Sequence, residues 1–169
     1  MLKRDIVDAI GDTPLVDVSV LSPVEGVRIF AKLEGSNPSG SVKDRVAKFM
    51  IEAAERDGLL KPGDTIIEPT SGNTGVSLAM ISRARGYNLK VVMPAGVTQE
   101  RIDLLIAYGA EIIFSDADKG TNEAIIVAKQ VAADNPDYFF PYQYGNEANP
   151  RAHFETTGPE IIRDLPEID

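Results

Sequence analysis

Two short, glycine-bearing stretches concentrate the residue types that could do chemistry. The first is Lys32-Leu-Glu-Gly-Ser-Asn-Pro-Ser-Gly-Ser-Val-Lys-Asp-Arg45. Here Asn37, Pro38 and Gly40 end an extended run, and Ser41 stands where it can cap a helix, so Lys43 falls in the first helical turn. A cation is disfavoured at the positive end of a helix dipole, and a neutral amine is the form a Schiff-base lysine requires. A solvated surface lysine beside Asp44 and Arg45 is the plainer alternative, and this loop alone leaves both open. The second stretch is Glu68-Pro-Thr-Ser-Gly-Asn-Thr-Gly75, at the end of one extended run and the start of a helical one. Thr70, Ser71, Asn73 and Thr74 place hydroxyl and amide groups around Gly72 and Gly75, where backbone N–H groups can approach a ligand. With the helix start, that makes an anion receptor suited to a carboxylate or a phosphate; an ordinary capped turn is the alternative. A third, polar stretch, Tyr142-Gln-Tyr-Gly-Asn-Glu-Ala-Asn-Pro150, could close on the same ligand through Gln143, or be a plain loop.

Composition narrows the chemistry further. The 169 residues include no Cys, which excludes disulfides, thiol nucleophiles and thiolate metal sites. A single His, His153, excludes a multi-His zinc site, and its place before FETTGPEII reads as packing and capping. Lys and Arg number 17 against 26 Asp and Glu, a net charge of −9, which argues against binding nucleic acid or an anionic membrane. Gly35 to Lys43 superficially resembles a phosphate-binding P-loop, but Lys and Ser/Thr do not follow the second Gly directly. There is no GxGxxG after a strand and no GxSxG elbow. Asp5, Asp8 and Asp12 interrupt the N-terminal segment as a signal peptide, and the apolar run at 76–81 is too short to span a bilayer. A cytoplasmic protein without a metal of its own is expected.

The elements that must position these loops read as follows. After a short N-terminal helix candidate, 15–20 and 27–34 alternate and read as an antiparallel strand pair. From residue 42 the period turns helical, with Val46, Phe49, Met50, Ala53 and Ala54 on one face up to Gly58. Strands are predicted at 65–68, 89–94 and 110–115, and an extended run at 138–142. Helices are predicted over 74–85, 98–109 (Ile102, Leu105 and Ile106 inward), 120–134 (Ala124, Val127, Ala128 and Val131 inward) and about 150–164. Thr98 gives only a partial N-cap signal. Repeated β–α units with short strands imply an α/β fold, a parallel sheet flanked by helices on both faces, with ligands beyond the carboxyl ends of the strands.

DTPLV (12–16), NPSGSVKDR (37–45), EPTSGNTG (68–75), VMP (92–94), YGAEII (108–113) and QYGNEANP with TTGPEI (143–161) occur in order. Together they resemble the cysteine synthase and cystathionine β-synthase family, pyridoxal-phosphate (PLP) enzymes of fold type II, the tryptophan-synthase-β-like fold. YQYGNEANP and the ending TGPEIIRDLPEID look most like the M-type cysteine synthases, some of which use O-phosphoserine. The resemblance implies that Lys43 holds PLP as a Schiff base and then removes the substrate Cα proton. It implies that Asn73 bonds the cofactor's phenolic oxygen, and that Thr70, Ser71, Thr74 and Gln143 bind the substrate α-carboxylate. Residues 1–43 and 147–169 would belong to the large PLP domain, and 44–146 to a small mobile domain that closes over the substrate. The implied reaction makes L-cysteine from an activated serine, O-acetylserine or O-phosphoserine, with sulfide or another sulfur donor, in an enzyme that is usually a homodimer. A cystathionine β-synthase-like or serine/threonine dehydratase activity and a non-catalytic truncated binding module are the alternatives. In the family the loop that cradles the PLP phosphate lies beyond the segment matching TTGPEI. The 169 residues are therefore expected to be an N-terminal part, incomplete at the C-terminus: a fragment, a truncated product or half of a split enzyme that needs a C-terminal half.

Overall fold

Short apolar runs with β-branched residues, separated by segments of helical period, produce two small sheets in the computed structural model, which describes residues 2–168. Strands β1 (Leu15–Asp17) and β2 (Phe30–Lys32) pair antiparallel, with Leu15 opposite Lys32 and Asp17 opposite Phe30. Both are shorter than the predicted 15–20 and 27–34. The Asp17 carboxylate accepts the Ser19 N–H at 2.8 Å and turns the chain into a single 3-10 turn at Ser19–Leu21. The N-terminal helix candidate is likewise one 3-10 turn, Val7–Ala9, with Asp5 Oδ1 accepting the N–H groups of Val7 and Asp8.

Helix α1 (Lys43–Arg56) follows, then β3 (Thr65–Pro69), α2 (Asn73–Arg85), β4 (Asn88–Pro94), α3 (Gln99–Ala107), β5 (Glu111–Ser115) and α4 (Gly120–Asp134). The second sheet is parallel in the order β3-β4-β5, with Glu68 beside Val91 and Val91 beside Ile112. Its two faces separate by the two-residue period of a strand. Ile66, Val91 and Met93 join Val46, Met50, Ile51 and Leu78 in one core, whereas Ile67 and Val92 pack on Ala124 and Ala128 of α4. Helices thus cover both faces, as the β–α alternation implies.

The predicted extended run at 138–142 contributes a single bridge, Phe139 beside Ile66, through Ile67 N–H to Phe139 O at 2.9 Å and Phe139 N–H to Thr65 O at 2.8 Å. Pro141 lacks an N–H to continue the ladder, and Tyr142 turns away with φ at +49°. In α3, Leu105 faces the core, but Ile106 is exposed rather than inward, because this nine-residue helix presents only a narrow stripe to the sheet edge. Thr98 makes no side-chain cap bond there. The predicted helix at 150–164 is three pieces: α5 (Ala148–Ala152), a π turn at His153–Thr157, and α6 (Gly158–Asp164). Helix α1 packs against α2 and α5. Among the described residues, no helix is long and apolar enough to cross a membrane.

Candidate active site

Lys43 opens α1 with Val42, not the predicted Ser41, at the cap position and no side-chain cap bond there; Ser41 Oγ accepts the Lys43 N–H at 3.1 Å from just ahead of the helix. Gly40, at φ +82°, makes the turn that brings the chain into the helix, its N–H reaching Asn37 O at 2.8 Å. Lys43 is half-buried, and its Nζ enters no ion pair or hydrogen bond among the described residues. Its neighbour Asp44 is fully buried and accepts from both the N–H (2.7 Å) and the hydroxyl of Ser39. Ser39 Oγ lies 3.2 Å from Ser77 Oγ, and Ser77 donates to Asn73 O at 3.0 Å. A continuous run of polar contacts therefore joins the first turn of α1 to the first turn of α2.

Thr70 N–H completes the ladder to Val92 O at 2.9 Å, and Thr70 Oγ1 then accepts the Gly72 N–H at 3.2 Å. Gly72 occupies the cap position of α2 and offers no side chain, so the helix begins without a side-chain cap bond. Buried Thr74 donates to Oε1 of buried Gln143 at 2.7 Å, across 69 positions of sequence. Ser71 is half-buried, and its carbonyl accepts Arg101 Nη1 at 3.1 Å. Exposed Asn73 opens on a cavity of about 430 Å³ with Ser39, Thr98 and Arg101. A cavity of about 460 Å³ beside β1, β2 and α6 contains none of these residues. The structure thus gathers Thr70, Ser71, Asn73, Thr74 and Gln143 in one place. Asp44, beside Lys43, is joined to Asn73 through Ser39 and Ser77, and the Lys43 amine bonds to none of these residues among those described.

Three features escaped the sequence reading. Glu68 is fully buried, its oxygens accepting the N–H groups of Tyr142 (2.8 Å) and Gln143 (3.0 Å). Burial pushes this carboxyl up to about 7, against the opposing pull of those N–H groups and the Gln143 side chain. A lone acid inside TIIEP, a run otherwise apolar, is the signal that could have found it. Next, buried Arg45 clamps Glu160 with two bonds, at 2.6 and 2.7 Å, and Glu34 with two more, at 2.8 and 2.9 Å; Lys32 adds a bridge to Glu160 at 2.7 Å. Burial alone would raise the Glu160 carboxyl, but Arg45, Lys32 and the Asp12 N–H outweigh it and hold it at about 2. Finally, His153 bridges its own π turn to Thr157 Oγ1 at 3.1 Å instead of capping a helix. Burial, and then the charges of Lys43 and Arg45, keep it below the usual histidine range.

Lys43, whose amine has no competing partner among the described residues, thus stands in a helix turn joined to the donor-rich start of α2 on a doubly covered parallel sheet. The family described as pyridoxal-phosphate dependent enzyme matches residues 6–169, and the chain belongs to it. A probable cysteine synthase of Bacillus subtilis (strain 168) is 53% identical over 170 residues, 99% of this chain and 55% of that protein. A hydrogen sulfide-producing enzyme from Fusobacterium nucleatum superposes with a TM-score of 0.88 at 45% identity, over 98% of this chain and 54% of that one. An O-ureido-L-serine synthase gives a TM-score of 0.92 at 42% identity, over 98% of this chain and 52% of that one. The chain spans about half the length of the curated relatives it matches. Its fold is that of the type II pyridoxal-phosphate enzymes, over the part the chain covers.

Proposed function

We propose that this protein serves PLP-dependent β-replacement, forming L-cysteine from an activated serine, O-acetylserine or O-phosphoserine, and sulfide or another sulfur donor. The observation that carries this reading is the run Asp44–Ser39–Ser77–Asn73, which joins the first turn of α1, where Lys43 stands, to the donor-rich start of α2. The residues present fit the cofactor. They offer an amine without a rival partner among the described residues, an exposed amide at Asn73 opening on a cavity, and a helix start free of a side-chain cap. Relatives named as cysteine synthases and a neighbour named for O-ureido-L-serine support a serine-derived substrate.

Bound PLP supplies an electron sink for charge developing at the substrate Cα. Lys43 would hold the cofactor through Nζ and then take the Cα proton as general base. Asn73 would donate its amide to the cofactor's phenolic oxygen. Thr70, Ser71, Thr74 and Gln143, with the first N–H groups of α2, would bind and orient the α-carboxylate. In this reading residues 44–146 move as the unit that closes on the substrate, against a unit built from 1–43 and 147–169. The sulfur arrives with the second substrate, since the sequence has no Cys. We place the enzyme in the cytoplasm as a homodimer that acts together with the C-terminal half its relatives carry.

The test is the Schiff-base absorbance band after mixing with PLP, for the chain alone and together with that C-terminal half. A band that needs the added half and disappears in Lys43→Ala is expected, followed by cysteine formation from sulfide and one of the two activated serines. Absence of any lysine-dependent band in the presence of the added half would overturn the proposal.

A further inference from the structure

Glu68 sits at the carboxyl end of β3, immediately before the loop that carries Thr70, Ser71 and Thr74. Its side chain turns to the third loop instead, where each oxygen accepts one of two successive backbone N–H groups, those of Tyr142 and Gln143. Successive N–H groups converge on one anion when the residue between their peptide planes is helical in either hand. Tyr142 is that residue, and its φ of +49° lies in the left-handed region, which a bulky side chain rarely adopts. The next side chain along, Gln143, accepts the Thr74 hydroxyl proton at 2.7 Å. Among the described residues no charged side chain bonds to Glu68; the groups that face its buried carboxyl are these two peptide N–H groups and the Gln143 side chain.

We infer that Glu68 is a positioning residue: by holding Tyr142 in the left-handed conformation it sets Gln143 against Thr74 and so completes the carboxylate receptor. The inference rests on reading Thr74 and Gln143 as carboxylate binders, and it gives a role to a buried acid that touches neither substrate nor cofactor. Glu68→Gln keeps the size of the side chain but turns an NH2 toward one of the two N–H donors, so one bond is lost and Tyr142 is released. Glycine at 142 adopts the left-handed conformation unaided, so Tyr142→Gly would compensate for the loss.

The experiment follows the Gln143 side-chain amide by 1H–15N NMR in the 169-residue chain. In Glu68→Gln this resonance is expected to move as it does in Thr74→Val, while the methyls of Ala124 and Ala128 under α4 stay in place. Adding Tyr142→Gly is expected to return it toward the wild-type position. A Gln143 resonance indifferent to Glu68→Gln, or one that Tyr142→Gly fails to restore, would overturn the inference. If Glu68→Gln alone does not fold, the double variant decides, since restored folding with a wild-type Gln143 signal is expected only of a positioning role. Titration with L-serine, read at the Gly72 and Thr74 N–H groups, separates the two readings. About tenfold weaker binding in Glu68→Gln, with no further loss in the Gln143→Ala background, supports positioning, and equal losses in both backgrounds refute it. Unchanged L-serine affinity in Gln143→Ala, with the Gln143 resonance still answering to Glu68, supports positioning and removes the carboxylate reading instead.

Discussion

Replacing Glu160 by Gln removes the negative charge on which Arg45 and Lys32 converge, without changing the size of the side chain. The carboxyl is held at about 2, against an ordinary value of 4.5. At about 1.4 kcal/mol for each factor of ten, that gap corresponds to roughly 3 kcal/mol of folding stability. Both partners are buried, Arg45 at 1% and Lys32 at 9% side-chain exposure, so solvent screens the interaction little. Because the folded value is depressed, the stabilisation is fully present above 4.5 and is lost as pH falls through about 2. About 2 kcal/mol of it is gone by pH 3. Denaturant unfolding of the wild-type chain and Glu160→Gln at pH 7 and pH 3 reads this directly. The variant is expected to be about 3 kcal/mol less stable at pH 7, and the two are expected to draw to within about 1 kcal/mol at pH 3. A deficit below about 1 kcal/mol at pH 7, or one that does not change with pH, would show that the cluster is not held by this charge. Arg45 lies two residues beyond Lys43, so the same cluster fixes the rotation of the turn that presents the lysine.

Glu68 is expected to bend the stability profile the opposite way. Its folded value of about 7 lies above the ordinary 4.5, so its stabilisation is complete below 4.5 and is lost as pH rises through 7. The wild-type chain should lose about 3 kcal/mol between pH 4.5 and 8 on this account. Denaturant midpoints across that window should flatten in Glu68→Gln, and an unchanged slope would rule the carboxyl out as its source. At Gly75, an added methyl would stand 3.0 Å from Thr70 Cγ2, 3.6 Å from Val91 Cγ1 and 3.7 Å from Leu105 Cδ2. Overpacking of about 1–3 kcal/mol, offset by about 1 kcal/mol of helix propensity, should leave Gly75→Ala about 1 kcal/mol less stable. That corresponds to a melting temperature lower by about 2–4 °C, and an equal or higher one would contradict the packing.

Periodic features were legible in the sequence because they are local. The apolar spacing from Val46 to Ala54 marks the buried face of α1, and the Ala124 and Ala128 stripe marks that of α4. Ser41, two residues before Lys43, marks the helix start. The donor-rich 70–74 loop was legible for the same reason. What escaped depends on partners far apart in the chain. Glu68 meets its partners 74 and 75 positions later, and Arg45 meets Glu160 across 115. No spacing rule links such residues: the apolar run around Glu68 could signal its burial, but not its partners. Ile106 was misplaced because a helical period gives the apolar stripe but not how much of it the sheet covers. The break in the last helix has no breaker residue inside 153–157 to announce it.

That break governs the counting of residues. A π turn closes i to i+5, so it holds roughly one residue more per turn than an α-helix and sets the angular phase back by about a quarter turn. Ala148 and Ala152 before the turn and Glu160 after it are all buried. The delay is what lets the Glu160 carboxylate follow those alanines inward to Arg45. Phe154 and Glu155, on the outside of the bulge, are exposed. Between Ala152 and Glu160 the wider turn therefore keeps the register: the same residues wound as an unbroken α-helix, at about 100° each, would leave the carboxylate about 80° off the line of the alanines.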